Sequence, residues 1–357
     1  MASVPQIDLD NLTTSPTADE ALEEWYKRNP PVADSEANPW DVSRAELYSK
    51  DLWRKPFAEM RATAPINKVE GGVHGDFWNI TTYKPIQHVE ALPDIYSSDV
   101  SHGGITIAEP DFDDSDFQLP MFIAMDRPKH TGQRRTVAPA FTPTEMKRME
   151  DEIRQRTGEV LDSLPWGEKF DWVDKVSIEL TTGMLAILFG FPWVDRRLLT
   201  YWSDWAGDVE LSCAEDLTEQ RQQILYEMGA YFTKLWNDRV DAEPTPDLIS
   251  MMIHSEHMRD MDPMEFMGNL VLLIVGGNDT TRNTMSGVAY GLGQFPEERE
   301  KLQQNPDLIP NAVQEIIRWQ TPLAHMRRTA LEDHDLFGNQ IKKGDKVVLW
   351  YISANRD

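Results

Sequence analysis

Gly276-Gly277-Asn278-Asp279-Thr280-Thr281 interrupts the longest apolar stretch of this 357-residue chain. Phe266, Leu270, Val271, Leu272, Leu273, Ile274 and Val275 precede it; Met285, Val288, Ala289 and Leu292 follow. Asp262, Pro263 and Glu265 stand where an N-cap, a first helical residue and a capping box are wanted, so the spacing predicts one long helix ending at Phe295-Pro296. A helix apolar on nearly every side belongs inside a large protein. There each glycine costs about 1 kcal/mol relative to alanine, and a buried carboxylate needs a partner or a proton-handling role. Two readings account for the insert. In one it is a glycine-weakened core helix with a satisfied Asp279. In the other, bare backbone at Gly276 and Gly277 receives something flat, and Asp279 handles protons.

Other segments narrow the choice. Glu315 and Arg318 lie at i, i+3, flanked by Ala312, Val313, Ile316 and Ile317. Alone, such a pair is usually a solvated salt bridge. Asp126-Arg127-Pro128-Lys129-His130 opens another helix, on which His130 and Arg134 share a face at i, i+4. A histidine and an arginine one turn apart suit a carboxylate pair, because both donate to anions and arginine does so bidentately. Arg327-Arg328-Thr329-Ala330 then leads into turn-rich strands, and the chain closes on Ala354-Asn355-Arg356-Asp357.

In this order the segments resemble a cytochrome P450, the heme-thiolate monooxygenase superfamily, over roughly Trp40 to Asp357. Gly276, Gly277, Asp279 and Thr280 match the oxygen-activating helix; His130 and Arg134 match the heme-propionate H-x-x-x-R; Glu315 and Arg318 match E-x-x-R; Arg328 matches the arginine for the second propionate. The resemblance implies a mainly α fold with a small β region, heme b (iron protoporphyrin IX) as cofactor and dioxygen as co-substrate. It assigns Gly276 and Gly277 to the heme face, Asp279 to proton relay and Thr280 to a hydrogen bond where dioxygen is reduced. Glu315 and Arg318 would form a buried ion pair that shapes the core, of a kind whose breaking costs about 3–5 kcal/mol.

One departure stands beside these matches. The family's heme-ligating cysteine follows the Ala-Asn-Arg-Asp segment by several tens of residues, so the axial ligand is expected beyond Asp357 and no metal ligand within the chain. The only cysteine, Cys213, falls by resemblance in the region roofing the substrate pocket. Glu210, Glu215 and Asp216 around it disfavour a thiolate.

The family's lining segments correspond to Ile105, Ile107, Phe117, Leu119, Met121, Phe122, Leu272, Val275, Leu323, Ala324 and Met326. Apart from His325 and solvated acids at 111–116, they offer no charge, so an apolar substrate is expected. Met121–Asp126 and Leu331–Gly338 further resemble the bacterial terminal alkane hydroxylases. That implies oxidation at the terminal carbon of a medium-chain alkane or fatty acid, with electrons from a ferredoxin-type donor and its reductase. The rival is an inactive fragment or heme-free relative that keeps an apolar pocket. His254-Ser255-Glu256-His257 lacks a third metal ligand, and Gly291-Leu292-Gly293 lacks the glycine and strand of a nucleotide fingerprint.

Composition agrees. A net charge of −25 argues against nucleic acid, which requires a basic face. Against that background Arg127, Lys129, His130, Arg134, Arg135, Lys147 and Arg148 form a basic island suited to propionates and an acidic electron donor. One cysteine, no signal peptide and no apolar run of about 20 residues point to a cytoplasmic protein without a membrane span. Residues 1–38 read as a loosely attached arm and 39–357 as a single domain. Hairpin signals bracket Gly71-Gly72, helices are expected over 173–189, 198–208 and 217–238, and a strand over Val347–Ile352.

Overall fold

The computed structural model describes residues 7–12, 14–29, 38–108, 119–208, 211 and 214–357. The secondary structure is mainly α with a small β region, as expected. The described residues cluster into two compact units, the first drawn from those within 7–29, 119–122 and 131–304, the second from those within 38–108, 123–130 and 305–357.

The first unit is helical and centres on Pro263–Gln294, a helix of 32 residues, about 48 Å long at 1.5 Å per residue. Asp262 caps it, its carboxylate accepting from the Met264 and Glu265 amides at 2.9 and 3.0 Å. Pro143–Asp162, Glu179–Phe189, Arg197–Gly207 and Thr218–Asn237 accompany it, the last three close to the expected bounds. Val173–Ile178, ahead of Glu179–Phe189, is a π-helical turn. Trp202, Trp205, Leu199, Phe189 and Phe232 fill the core, and Phe189 meets Phe232 edge-on at 5.5 Å. The stretch expected to be a loose arm contains a helix, Ala18–Arg28. Thr17 and Glu20 form its capping box, and Ala18, Ala21 and Leu22 are buried.

Buried polar groups pin the loop before His130 to the start of the long helix. Asn269 accepts from the Phe122 amide at 2.9 Å and donates to Gln133 at 3.2 Å, and Gln133 donates to Glu265. Gly268 permits this approach, since a Cβ there would stand 2.1 Å from the Pro120 carbonyl oxygen.

The second unit holds both sheets. β1 (Ile66–Gly72), β2 (Gly75–Ile80), β3 (Tyr96–Ser97), β4 (Met326–Ala330) and β7 (Lys346–Leu349) form one sheet in the order β1-β2-β7-β4-β3; β5 (His334–Leu336) and β6 (Asn339–Ile341) form the other. The expected hairpin is β1–β2, with Gly75 at φ +74° after the turn. The last strand stops at Leu349, short of the expected Ile352, and Tyr351–Ala354 forms a helical turn. Phe57, Phe77, Val348 and Trp350 pack one core of this unit, and Ile80, Tyr96, Val347 and Leu349 another.

Candidate active site

Three faces of the long helix meet three environments. A Cβ built at Gly276 meets nothing within 4 Å, whereas one at Gly277 would lie 2.7 Å from Leu185 Cδ2. Of these two glycines, Gly276 presents bare backbone to space open among the described residues, and Gly277 admits the neighbouring helix Glu179–Phe189. Asn278 faces that same helix, fully buried, and accepts from Thr181 Oγ1 at 3.0 Å. Gly276, Thr280 and Thr284 recur at one-turn spacing on the open face. Thr280 Oγ1 donates to the Gly276 carbonyl at 2.8 Å, and Thr284 Oγ1 to the Thr280 carbonyl at 2.8 Å. With its proton so engaged, the Thr280 hydroxyl accepts no hydrogen bond among the described residues.

Asp279 lies on the third face, toward helix Arg197–Gly207. Its Oδ1 accepts from Ser203 Oγ at 3.1 Å and from Arg282 Nη2 at 3.0 Å. The same Arg282 nitrogen donates to Asp204 Oδ1 at 2.8 Å. Burial pushes both carboxyls above the usual carboxylate range; Arg282 pulls them back, and the negative charge of Asp208 adds to the rise in each. Ser203, Asp204 and Arg282 did not stand out in the sequence. Arg282 alone left a signal, its i, i+3 spacing from Asp279.

The helix Lys129–Val137 carries His130 and Arg134 one turn apart; it buries Gln133 and Val137, leaves Arg134 exposed and His130 half-buried. His257 rests on Gly132 of this helix, where a Cβ would stand 2.9 Å from its Nδ1, and no cluster of metal-ligating side chains occurs among the described residues. Of the basic island, Lys147 and Arg148 pair locally with Glu150 and Glu145.

In the second unit, strand alternation separates the neighbouring arginines of β4. Arg327 is buried, within 3.4 Å of Thr329 Oγ1 and 3.5 Å of the His102 carbonyl, and Gly103 leaves room for its guanidinium. Arg328 takes the other face, donating to the Arg327 carbonyl at 2.7 Å and lying 3.8 Å from Glu90. Glu315 and Arg318 pair bidentately, with Arg318 Nε 2.7 Å from Glu315 Oε2, but their side chains are 57% and 45% exposed. The expected burial of this pair is not seen. Arg318 also donates to the Asn355 carbonyl, and Arg356 to that of Trp319, clipping helix Ile309–Gln320 to the closing segment.

The expected pocket residues divide. Leu119, Met121, Leu272 and Val275 in the first unit are half-buried, and Phe122 is buried. In the second, Ile105, Ala324 and Met326 are half-buried, Leu323 is exposed, and Ile107 belongs to the core around Phe57 and Trp350. Phe117 and Cys213 lie outside the described residues. The His325 ring is 4.6 Å from that of Trp350, and burial pushes its pKa down to about 4, so it is uncharged near neutrality. No helix among the described residues is long and apolar enough to cross a membrane.

Comparison with known proteins places this geometry in a family. The model of the family described as Cytochrome P450 matches residues 168–357. The solved cytochrome P450-153 from Novosphingobium aromaticivorans is similar with a TM-score of 0.85 and 64% identity, over 89% of this chain and 80% of that one. Linalool 8-monooxygenase of Pseudomonas putida is 32% identical over 328 residues, 89% of this chain and 79% of that protein. Methyl-branched lipid omega-hydroxylase of Mycobacterium tuberculosis is 32% identical over 337 residues, 88% of this chain and 77% of that protein. The chain thus belongs to the cytochrome P450 family, heme-dependent monooxygenases that use dioxygen, draw electrons from a redox partner and bind apolar substrates.

Proposed function

We propose that the protein hydroxylates the terminal carbon of a medium-chain alkane or fatty acid in the bacterial cytoplasm, with heme b as cofactor and a ferredoxin-type donor with its reductase as electron source. The observation that carries this reading is the open face at Gly276, with Thr280 one turn further along it. Its bare backbone fits a flat macrocycle, and by resemblance His130, Arg134 and Arg328 would donate to the two propionates. When bound, the heme supplies the oxidising power for inserting oxygen into a C–H bond.

The remaining work belongs to the chain's own side chains. Thr280 holds a hydroxyl beside the open face that donates to the Gly276 carbonyl and, among the described residues, accepts no hydrogen bond. Asp279, with a carboxyl raised by burial, takes and releases a proton more readily near neutrality than an ordinary aspartate. Apolar side chains at Leu119, Met121, Phe122, Leu272, Val275, Ile105, Leu323, Ala324 and Met326 favour a substrate without charge. Terminal oxidation is supported by the resemblance to alkane hydroxylases and by the omega-hydroxylase activity named for the mycobacterial relative.

Heme-loaded enzyme supplied with ferredoxin, reductase and NADH tests the reading. Octane or a medium-chain fatty acid should yield predominantly the terminal alcohol by gas chromatography. Predominantly subterminal alcohols, or turnover confined to terpenes and steroids, would contradict it.

A further inference from the structure

On the face of the long helix turned to Arg197–Gly207, a single guanidinium nitrogen serves two carboxylates: Arg282 Nη2 is 2.8 Å from Asp204 and 3.0 Å from Asp279. All three side chains are a third exposed or less, so their charges interact through less dielectric than bulk water provides. Oδ1 of Asp279 takes the contacts from Arg282 and Ser203, with Asn278 Nδ2 at 3.5 Å; among the described residues Oδ2 accepts no hydrogen bond. That oxygen points toward Gly207, where a Cβ would come within 3.0 Å of it. Besides Arg282, the charged groups acting on the two carboxylates are negative, while Arg221 of helix Thr218–Asn237 donates to the Trp205 and Ala206 carbonyls of the neighbouring helix. Asp208 follows helix Arg197–Gly207, and Asp19, on the packed helix Ala18–Arg28, adds its field at Asp204 and Arg282. Arg282 is the one cation acting on Asp279 among these groups, Ser203 and Asn278 being neutral.

We infer that Asp204 is a positioning residue for proton delivery: by claiming a share of Arg282 it prevents Asp279 from closing into an exclusive ion pair, and so keeps the Asp279 carboxyl able to take up and release a proton. The inference rests on Asp279 acting as the proton relay. An exclusive pair would hold Asp279 ionised and oriented toward Arg282, as Arg–carboxylate pairs do when nothing competes. With Asp204 present, two carboxylates and one guanidinium leave a net negative charge, which a proton on either acid relieves. A plain clamp between the two helices would need only the hydrogen bonds, which asparagine at 204 retains.

Asp204→Asn separates the two roles. The Asp279 carboxyl titration, followed by side-chain carbon NMR in aspartate-labelled protein, should move down by about one pH unit in the variant. In the heme-loaded enzyme the share of reducing equivalents recovered in product should fall about twofold or more across the neutral range, with peroxide rising to match, while Asp204→Glu restores both readouts. Asp204→Ser carries the same expectations should Asp204→Asn not accumulate as folded protein. An unmoved titration, or a moved titration with wild-type coupling at every pH, overturns the inference. Asp279→Asn tells its failure from that of the parent reading: if that variant uncouples and the Asp204 variants do not, only the inference falls. Wild-type coupling in Asp279→Asn removes both.

Discussion

Asp279–Arg282 and Glu315–Arg318 have the same design on paper: an acid and an arginine at i, i+3 on one helix. Their surroundings part them. Glu315 holds Arg318 through two parallel contacts, and both side chains are about half exposed. Asp279 shares a single nitrogen of Arg282 with Asp204, and none of the three exceeds 33% exposure. The pairing lowers the Glu315 carboxyl below its ordinary range, while burial raises those of Asp279 and Asp204. Helical spacing brings the charges together; burial and the presence of a competitor decide whether the carboxyl is held low in an exposed clip or raised in a shared, partly buried cluster.

The largest difference should appear when the arginines are removed. Arg282→Gln leaves two partly buried carboxylates without their cation and should destabilise the fold by about 2 kcal/mol at neutral pH, between the exposed and fully buried limits. The sign with pH follows from the raised carboxyls. Their folded-state values lie above the unfolded ones, so their stabilising contribution is complete below the unfolded value and is lost as pH rises through the folded one. Urea midpoints should therefore show the Arg282→Gln deficit shrinking in acid. A deficit independent of pH would break the contrast.

Glu315→Gln should do less, within about 1 kcal/mol, because an exposed pair gains little over its hydrated state. Its deficit also shrinks in acid, but from the opposite shift: the lowered Glu315 carboxyl stabilises above its unfolded value and loses that contribution as pH falls through the folded one. A deficit above that of Arg282→Gln would mean the exposed clip carries more of the fold than its environment allows.

Salt should give the smallest effect. Raising ionic strength to about 1 M, where the Debye length is about 3 Å, should erase the Glu315→Gln deficit and leave most of the Arg282→Gln deficit in place. Equal screening of the two would place Asp279 in an environment as wet as that of Glu315.

Much of the architecture was legible because it rests on local signals. Asp262-Pro263 marked the start of the long helix, and β-rich runs around Gly71-Gly72 marked the hairpin. The helix at Ala18–Arg28 was legible too, in the Thr17–Glu20 capping box, but the polar composition around it pointed to a loose arm. What could not be read locally is tertiary. Nothing near Asp279 in sequence says that Ser203 and Asp204, some 75 residues earlier, will face it. Nor does adjacency say that Gly276 will be open while Gly277 is filled by Leu185; that follows from a rotation of about 100° per residue against a neighbour whose position only the fold supplies. The same holds for Arg327 and Arg328, which the pleat of β4 sends to opposite faces once its register with β7 is set.

Coupling in Thr280→Ala tests the account most directly. The substitution removes the hydroxyl that donates to the Gly276 carbonyl on the open face and leaves the Asp279 cluster untouched. In heme-loaded enzyme it should leave heme content and substrate affinity unchanged while most NADH consumption is diverted from alcohol to hydrogen peroxide. Unchanged product per NADH would contradict the assignment of this face as the place where dioxygen is reduced.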